Sequence, residues 1–162
     1  MNRPQFLNRR LGLIPMMLAL AGMLFMGSKG AAGQALPDPW TPAQVMTPED
    51  LLQALSKPTK PVVIAVTFRQ LYDRGHVPGA LYFGPGQNPV TIAALKEWAA
   101  NQPKDEEIVI YCGCCPWPDC PNIKPPFALL KDLGFTRLRV VKIDTDFRRA
   151  WIEKKYPVEG SK

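Results

Sequence analysis

Three short apolar runs constrain this chain more than anything else in it: Pro61-Val62-Val63-Ile64-Ala65-Val66, Ile108-Val109-Ile110-Tyr111 and Leu138-Arg139-Val140-Val141-Lys142-Ile143. The first two show no alternation of polar and apolar residues, so a strand made from either must be covered on both faces. Helical patterns separate them. Thr47-Pro48-Glu49-Asp50 starts a helix with Thr as N-cap, Pro at the first helical position and acids in the first turn. Leu51, Leu52 and Leu55 give that helix an apolar face. Residues 91–100 form a second helical stretch, and Pro125-Pro126 opens a third, with Phe127, Leu130 and Leu133 inward and Gly134 closing it. Residues 146–155 are expected to form a closing helix. Strands that alternate with helices imply an α/β fold, a mainly parallel sheet flanked by helices in one domain. Ligands of such sheets bind beyond the carboxyl ends of the strands.

The first 35 residues stand apart from this pattern. Arg3, Arg9 and Arg10 precede the apolar run from Leu11 to Met26, and a small, neutral stretch ends in Gly33-Gln34-Ala35. A basic region, an apolar core and a small-x-small site describe a secretory signal peptide, with cleavage expected after Ala35. Residues 36–46, rich in proline, are expected to be an extended N-terminal segment, and 47–162 the folded domain. The protein is therefore expected to be extracytoplasmic, secreted or periplasmic, and to meet a membrane only if the leader stays uncleaved. Four of the 20 basic residues and none of the 14 acids lie in the leader, which leaves 16 against 14 in the remainder. The net charge of +6 is thus largely the leader's, and nucleic acid is not an expected partner.

All four cysteines fall within nine positions, in the stretch "YCGCCPWPDC" that begins at Tyr111. Disulfides restrain an unfolded chain by closing loops, and bridges across so few residues close very little. Chemistry explains the cluster better. Cys112 follows a buried strand at once and is the expected catalytic nucleophile, a role that needs a lowered thiol pKa. Loop N–H groups from Gly113 onward, the positive end of the following helix and the cation Lys124 are the candidate sources. Cys112 and Cys115 are spaced as a C-x-x-C pair, so Cys114, Cys115 or Cys120 could resolve a persulfide or form a redox disulfide with Cys112. A local Cys115–Cys120 bridge also remains open. Four thiolates could hold Zn²⁺, Cu(I) or an iron–sulfur cluster, but structural zinc usually draws ligand pairs from separated segments. No resident metal or cofactor is expected. Trp117, flanked by prolines, is expected at the mouth of the site.

The motif Gly75-His76-Val77-Pro78-Gly79-Ala80, followed by Ile108-Val109-Ile110-Tyr111-Cys112, resembles the rhodanese-like domain family. Leu133-Gly134-Phe135 and Trp151 with Tyr156-Pro157-Val158 extend the likeness over residues 47–159. The resemblance implies the α/β fold, a persulfide-forming cysteine at Cys112 and sulfurtransferase activity. Partners would be a small sulfur donor and a thiol acceptor, a protein thiol included. Thiol–disulfide exchange and a non-enzymatic metal- or partner-binding module stay open as alternatives.

The chain also departs from the family pattern. Ala65-Val66-Thr67 stands where the family usually has Asp-x-Arg, and the cysteine loop runs on to Lys124 with three added thiols. These differences predict poor thiosulfate:cyanide turnover and interception of a persulfide by the neighbouring thiols. His76 is expected to fix its loop by hydrogen bonds, Trp98 and Trp151 to sit in the core, and Trp40 to pack back on the domain. Arg69, Tyr72 and Arg74 are read as ordinary surface or packing residues.

Overall fold

The computed structural model describes residues 37–117 and 120–160. The expected leader lies outside the described residues. The remainder is built on a five-stranded, wholly parallel sheet of order β1-β5-β4-β2-β3. Its strands are β1 (Val45–Met46), β2 (Val62–Ala65), β3 (Leu81–Tyr82), β4 (Glu107–Tyr111) and β5 (Arg137–Val141). The helices are α1 (Pro48–Leu55), α2 (Arg69–Arg74), α3 (Pro89–Ala100) and α4 (Lys124–Asp132).

The unalternating strands bury both faces, as their composition requires. Ile64, Ile108, Ile110, Leu138 and Val140 point to one apolar cluster, with Leu95 and Ala99 of α3 and Phe127 and Leu130 of α4. Val63, Ala65, Val109, Tyr111 and Val141 point to the other, with Leu51 and Ala54 of α1 and with Trp151. Helices on both sides exclude water from the central strands, and this burial is the main stabilising term of such a layered fold. The α1 start is as expected: Thr47 Oγ1 accepts from Asp50 N at 3.1 Å, and Asp50 Oδ2 accepts from Thr47 N at 2.9 Å.

Four elements differ from expectation. The extended N-terminal segment ends inside the sheet. Val45 and Met46 pair with Val140 and Val141 as an edge strand, while Trp40 packs back on the domain as expected, edge-on to Phe127 at 5.3 Å between centroids. The short β3 and α2 elements carry too few residues to show a period. The closing segment is not a regular α-helix but a π-helical turn, Arg148–Ile152. Its wider winding rests on the i to i+5 bond that Glu153 N donates to Arg148 O at 2.8 Å. Trp151 stacks with Phe147 at 6.0 Å and meets Tyr156 edge-on at 5.2 Å. The bond from Tyr156 N to Trp151 O at 3.3 Å is itself an i to i+5 bond.

Candidate active site

β4 delivers Cys112 to its carboxyl end, where the chain leaves the sheet between the two apolar layers. Cys112 and Cys120 are 3% and 4% exposed and belong to the apolar cluster that also holds Ile110, Ile123 and Phe127. The Cys112 Sγ stands 3.1 Å from that of Cys114, which stands 3.2 Å from that of Cys115. The sulfurs of Cys112, Cys114 and Cys120 all lie within 4.8 Å of one another. The loop therefore brings its thiols together, and Cys112 makes its sulfur contacts with Cys114 and Cys120 rather than with the C-x-x-C partner Cys115.

Crowded thiols cannot all ionise, because each added negative charge raises the cost of the next. Contact with the Cys114 sulfur pushes the Cys112 thiol up to about 12. The Cys114 thiol is shifted the other way. Contacts from Cys112 and Cys120, with Cys115 and Asn122 adding to them, hold it down at about 2. Burial and the neighbouring sulfurs shift Cys115 upward, and contacts with Cys112 and Cys114 do the same to Cys120. Cys112, expected to carry the lowered thiol, is thus shifted upward while its neighbour Cys114 is shifted downward. The added donor is Asn122, 1% exposed, whose Nδ2 stands 3.4 Å from the Cys114 sulfur. Asn122 Oδ1 in turn accepts from Gln87 N at 3.4 Å, which fixes the amide's orientation.

Cys114 is half-buried and opens on a cleft of about 290 Å³, lined by Arg74, Gly113, Asp146, Phe147 and Arg148 among others. Gly113 has a steric reason to be glycine. A Cβ there would run into the Phe147 side chain, and the Gly113 carbonyl accepts from Phe147 N at 3.2 Å. The cysteine loop is thereby pressed against the segment that leads into the π-helical turn.

The remaining expected site residues lie elsewhere. Lys124, the first residue of α4, pairs with Asp38 at 2.9 Å. The cleft's cations are instead Arg74 and Arg148. Trp117 does not line this cleft. Its ring packs on Trp40 at 5.0 Å, its backbone N–H donates to Ile143 O at 2.9 Å, and it borders a separate hollow with Trp40, Pro42 and Val45. Trp117 is thus an anchor of the loop. Sequence reasoning missed Asn122, Arg74 and Arg148. Asn122 had one legible signal, a polar residue two positions after the last cysteine in a loop that closes on apolar Ile123.

The family model of the rhodanese-like domain matches residues 47–143. The chain belongs to the rhodanese-like domain family. Among solved structures, the rhodanese-like domain of the Anabaena sp. Alr3790 protein, determined by NMR, matches with a TM-score of 0.52 at 21% identity, over 73% of this chain and 80% of that one. Thiosulfate sulfurtransferase from Pseudomonas aeruginosa matches with a TM-score of 0.53 at 20% identity, over 73% of this chain and 19% of that one. At these identities the likeness is one of fold. Compared by sequence with curated proteins, the chain matches none.

Proposed function

We propose that this protein is an exported sulfurtransferase that carries a sulfane sulfur on the Cys112–Cys114 pair. The observation that carries the reading is the grouping of three thiols within 4.8 Å at the carboxyl end of β4, with Cys114 open to the cleft. Cys114 is the attacking thiolate. It attacks the outer sulfur of a donor such as a thiosulfonate, the donor's sulfur–sulfur bond breaks, and the sulfinate leaves with the bonding electron pair. Arg74 and Arg148 supply positive charge at the cleft to hold the anionic donor and leaving group. Cys112, 3.1 Å away, then attacks the Cys114 sulfur. A Cys112–Cys114 disulfide forms and hydrosulfide leaves, unless an outside thiol takes the terminal sulfur first. Nearness of the second thiol favours the internal route, since a held reactant acts at high effective concentration.

Export rests on the leader-like order of residues 1–35. Mass spectrometry of the reduced protein after exposure to a thiosulfonate tests the chemistry. The expected products are a species heavier by one sulfur and then a disulfide with release of sulfide. A protein whose mass never changes, or one that forms the disulfide at the same rate without any donor, would overturn the reading.

A further inference from the structure

Sulfur transfer needs a nucleophile and one resolving thiol, and this loop gathers more sulfur than that. Cys120 is 4% exposed and closes the three-sulfur group from a position eight residues after Cys112. No carboxylate or imidazole joins the group among the described residues. His76, the chain's single histidine, is engaged with Tyr72 and Glu159. The donor set is therefore wholly soft. We propose that Cys112, Cys114 and Cys120 form a three-coordinate site for a soft monovalent cation, Cu(I).

The dimensions suit that ion. Metal–sulfur bonds of about 2.3 Å place the sulfurs of a planar three-coordinate site about 4 Å apart. The sulfurs here span from 3.1 Å to within 4.8 Å, so side-chain rotation alone reaches the required spacing. Thiolate ligands select copper(I) and zinc over hard cations. Zinc takes four ligands, and among the described residues three sulfurs gather within 4.8 Å of one another. Cys115 meets Cys114 at 3.2 Å but stands outside the three-sulfur group. The apolar surroundings of Ile110, Ile123 and Phe127 strengthen the attraction between cation and thiolate by lowering the local dielectric. The cleft beside Cys114 gives the ion a way in. Binding leaves copper as Cu(I), and each thiol that ligates releases its proton to solvent. Because the same sulfurs take up sulfane sulfur, a bound Cu(I) excludes persulfide formation.

The test is an anaerobic titration of the reduced protein with the Cu(I)–bicinchoninate complex, followed by loss of the complex's colour. One equivalent of copper should move to the protein, and X-ray absorption should find three sulfur neighbours and no nitrogen or oxygen. Cys112→Ser, Cys114→Ser and Cys120→Ser should each weaken binding at least about tenfold, while Cys115→Ser stays within about twofold. Circular dichroism checks that each variant is folded, and the sulfur count in the unaltered protein does not depend on them. Absence of transfer would overturn the proposal. So would loss of binding in Cys115→Ser with a count of four sulfurs, or copper uptake that no cysteine variant alters.

Discussion

The loop from Gly75 to Ala80 and the loop from Cys112 to Asn122 use their hydrogen-bonding capacity in opposite ways. In the first, every backbone N–H is satisfied by protein oxygen. Gly75 N donates to Tyr72 O, His76 N to Glu159 O, Gly79 N to Glu159 Oε2 and Ala80 N to Val77 O. Val77 N donates to the Tyr111 hydroxyl at 3.3 Å, and Pro78 has no N–H to place. The His76 ring stacks on Tyr72 at 3.7 Å and contacts its carbonyl at 2.8 Å. In the second loop, donors converge on sulfur: the Asn122 amide faces Cys114, and the Cys114 N–H faces Cys112. A loop that satisfies itself is scaffold, whereas one that aims donors at a polarisable atom is arranged for that atom's chemistry. Variants in the two loops should therefore separate stability from reactivity.

The largest effect is expected from Cys114→Ser. Removing the attacking thiolate should lower the rate of sulfur uptake at least about a thousandfold, and alkylation by iodoacetamide at pH 5 should vanish with it. Cys112→Ser should keep the acid-resistant alkylation but form no internal disulfide. If Cys112→Ser alone abolished the low-pH alkylation, the assignment of the thiolate would be reversed.

Trp40→Ala comes next. It removes a ring packed against both Trp117 and Phe127, and should cost about 3 kcal/mol in urea unfolding. Gly113→Ala should cost about 1–3 kcal/mol by pushing Phe147 away, and should also slow sulfur uptake, because the displaced loop carries Cys114. His76→Ala tests the other side of the comparison. Losing the stack and the contact with Tyr72 should cost about 1–2 kcal/mol while leaving the alkylation rate of Cys114 unchanged. An altered rate would show that the Gly75–Ala80 loop shapes the reactive one.

A further effect is one of pH on the reduced protein. Cys114 is held at about 2 against an ordinary 9.0. Between those limits the unfolded chain binds more protons, so stability rises with pH. Cys112, held at about 12, acts in the opposite sense. From about 9 upward the unfolded chain loses its proton first, so stability falls. A maximum near pH 9 is expected in thermal melts under reductant, and Cys114→Ser should remove its acidic limb.

Much of this was legible in the residues themselves. The apolar runs could only be doubly covered strands, Thr47 and Pro48 set the α1 boundary, and Cys112 had to lie where a buried strand ends. What escaped was non-local. Val45 and Met46 look like coil within a proline-rich stretch, and only the presence of β5 beside them makes them a strand. The exposed Arg74 and Arg148 gain meaning from sharing a cleft with Cys114, which no spacing along the chain encodes. The charge order among four thiols depends on distances of about an ångström, well below what a motif can specify.

The pairing of β1 with β5 also sets an order of events. A ribosome releases residues 45–46 long before 140–141, so the first-made strand has no partner until the last-made one has emerged. The sheet's centre, β2 beside β4, can assemble while the β1 edge waits, and closing contacts so distant along the chain is slow. Throughout that interval the cysteine loop, whose Trp117 is held by Trp40 and by the Ile143 carbonyl, lacks both of its fastenings. Thiols that meet an oxidant at that stage are exposed to mispairing. A chain of this topology should therefore mature fastest when it meets oxidant only after its final strand is in place.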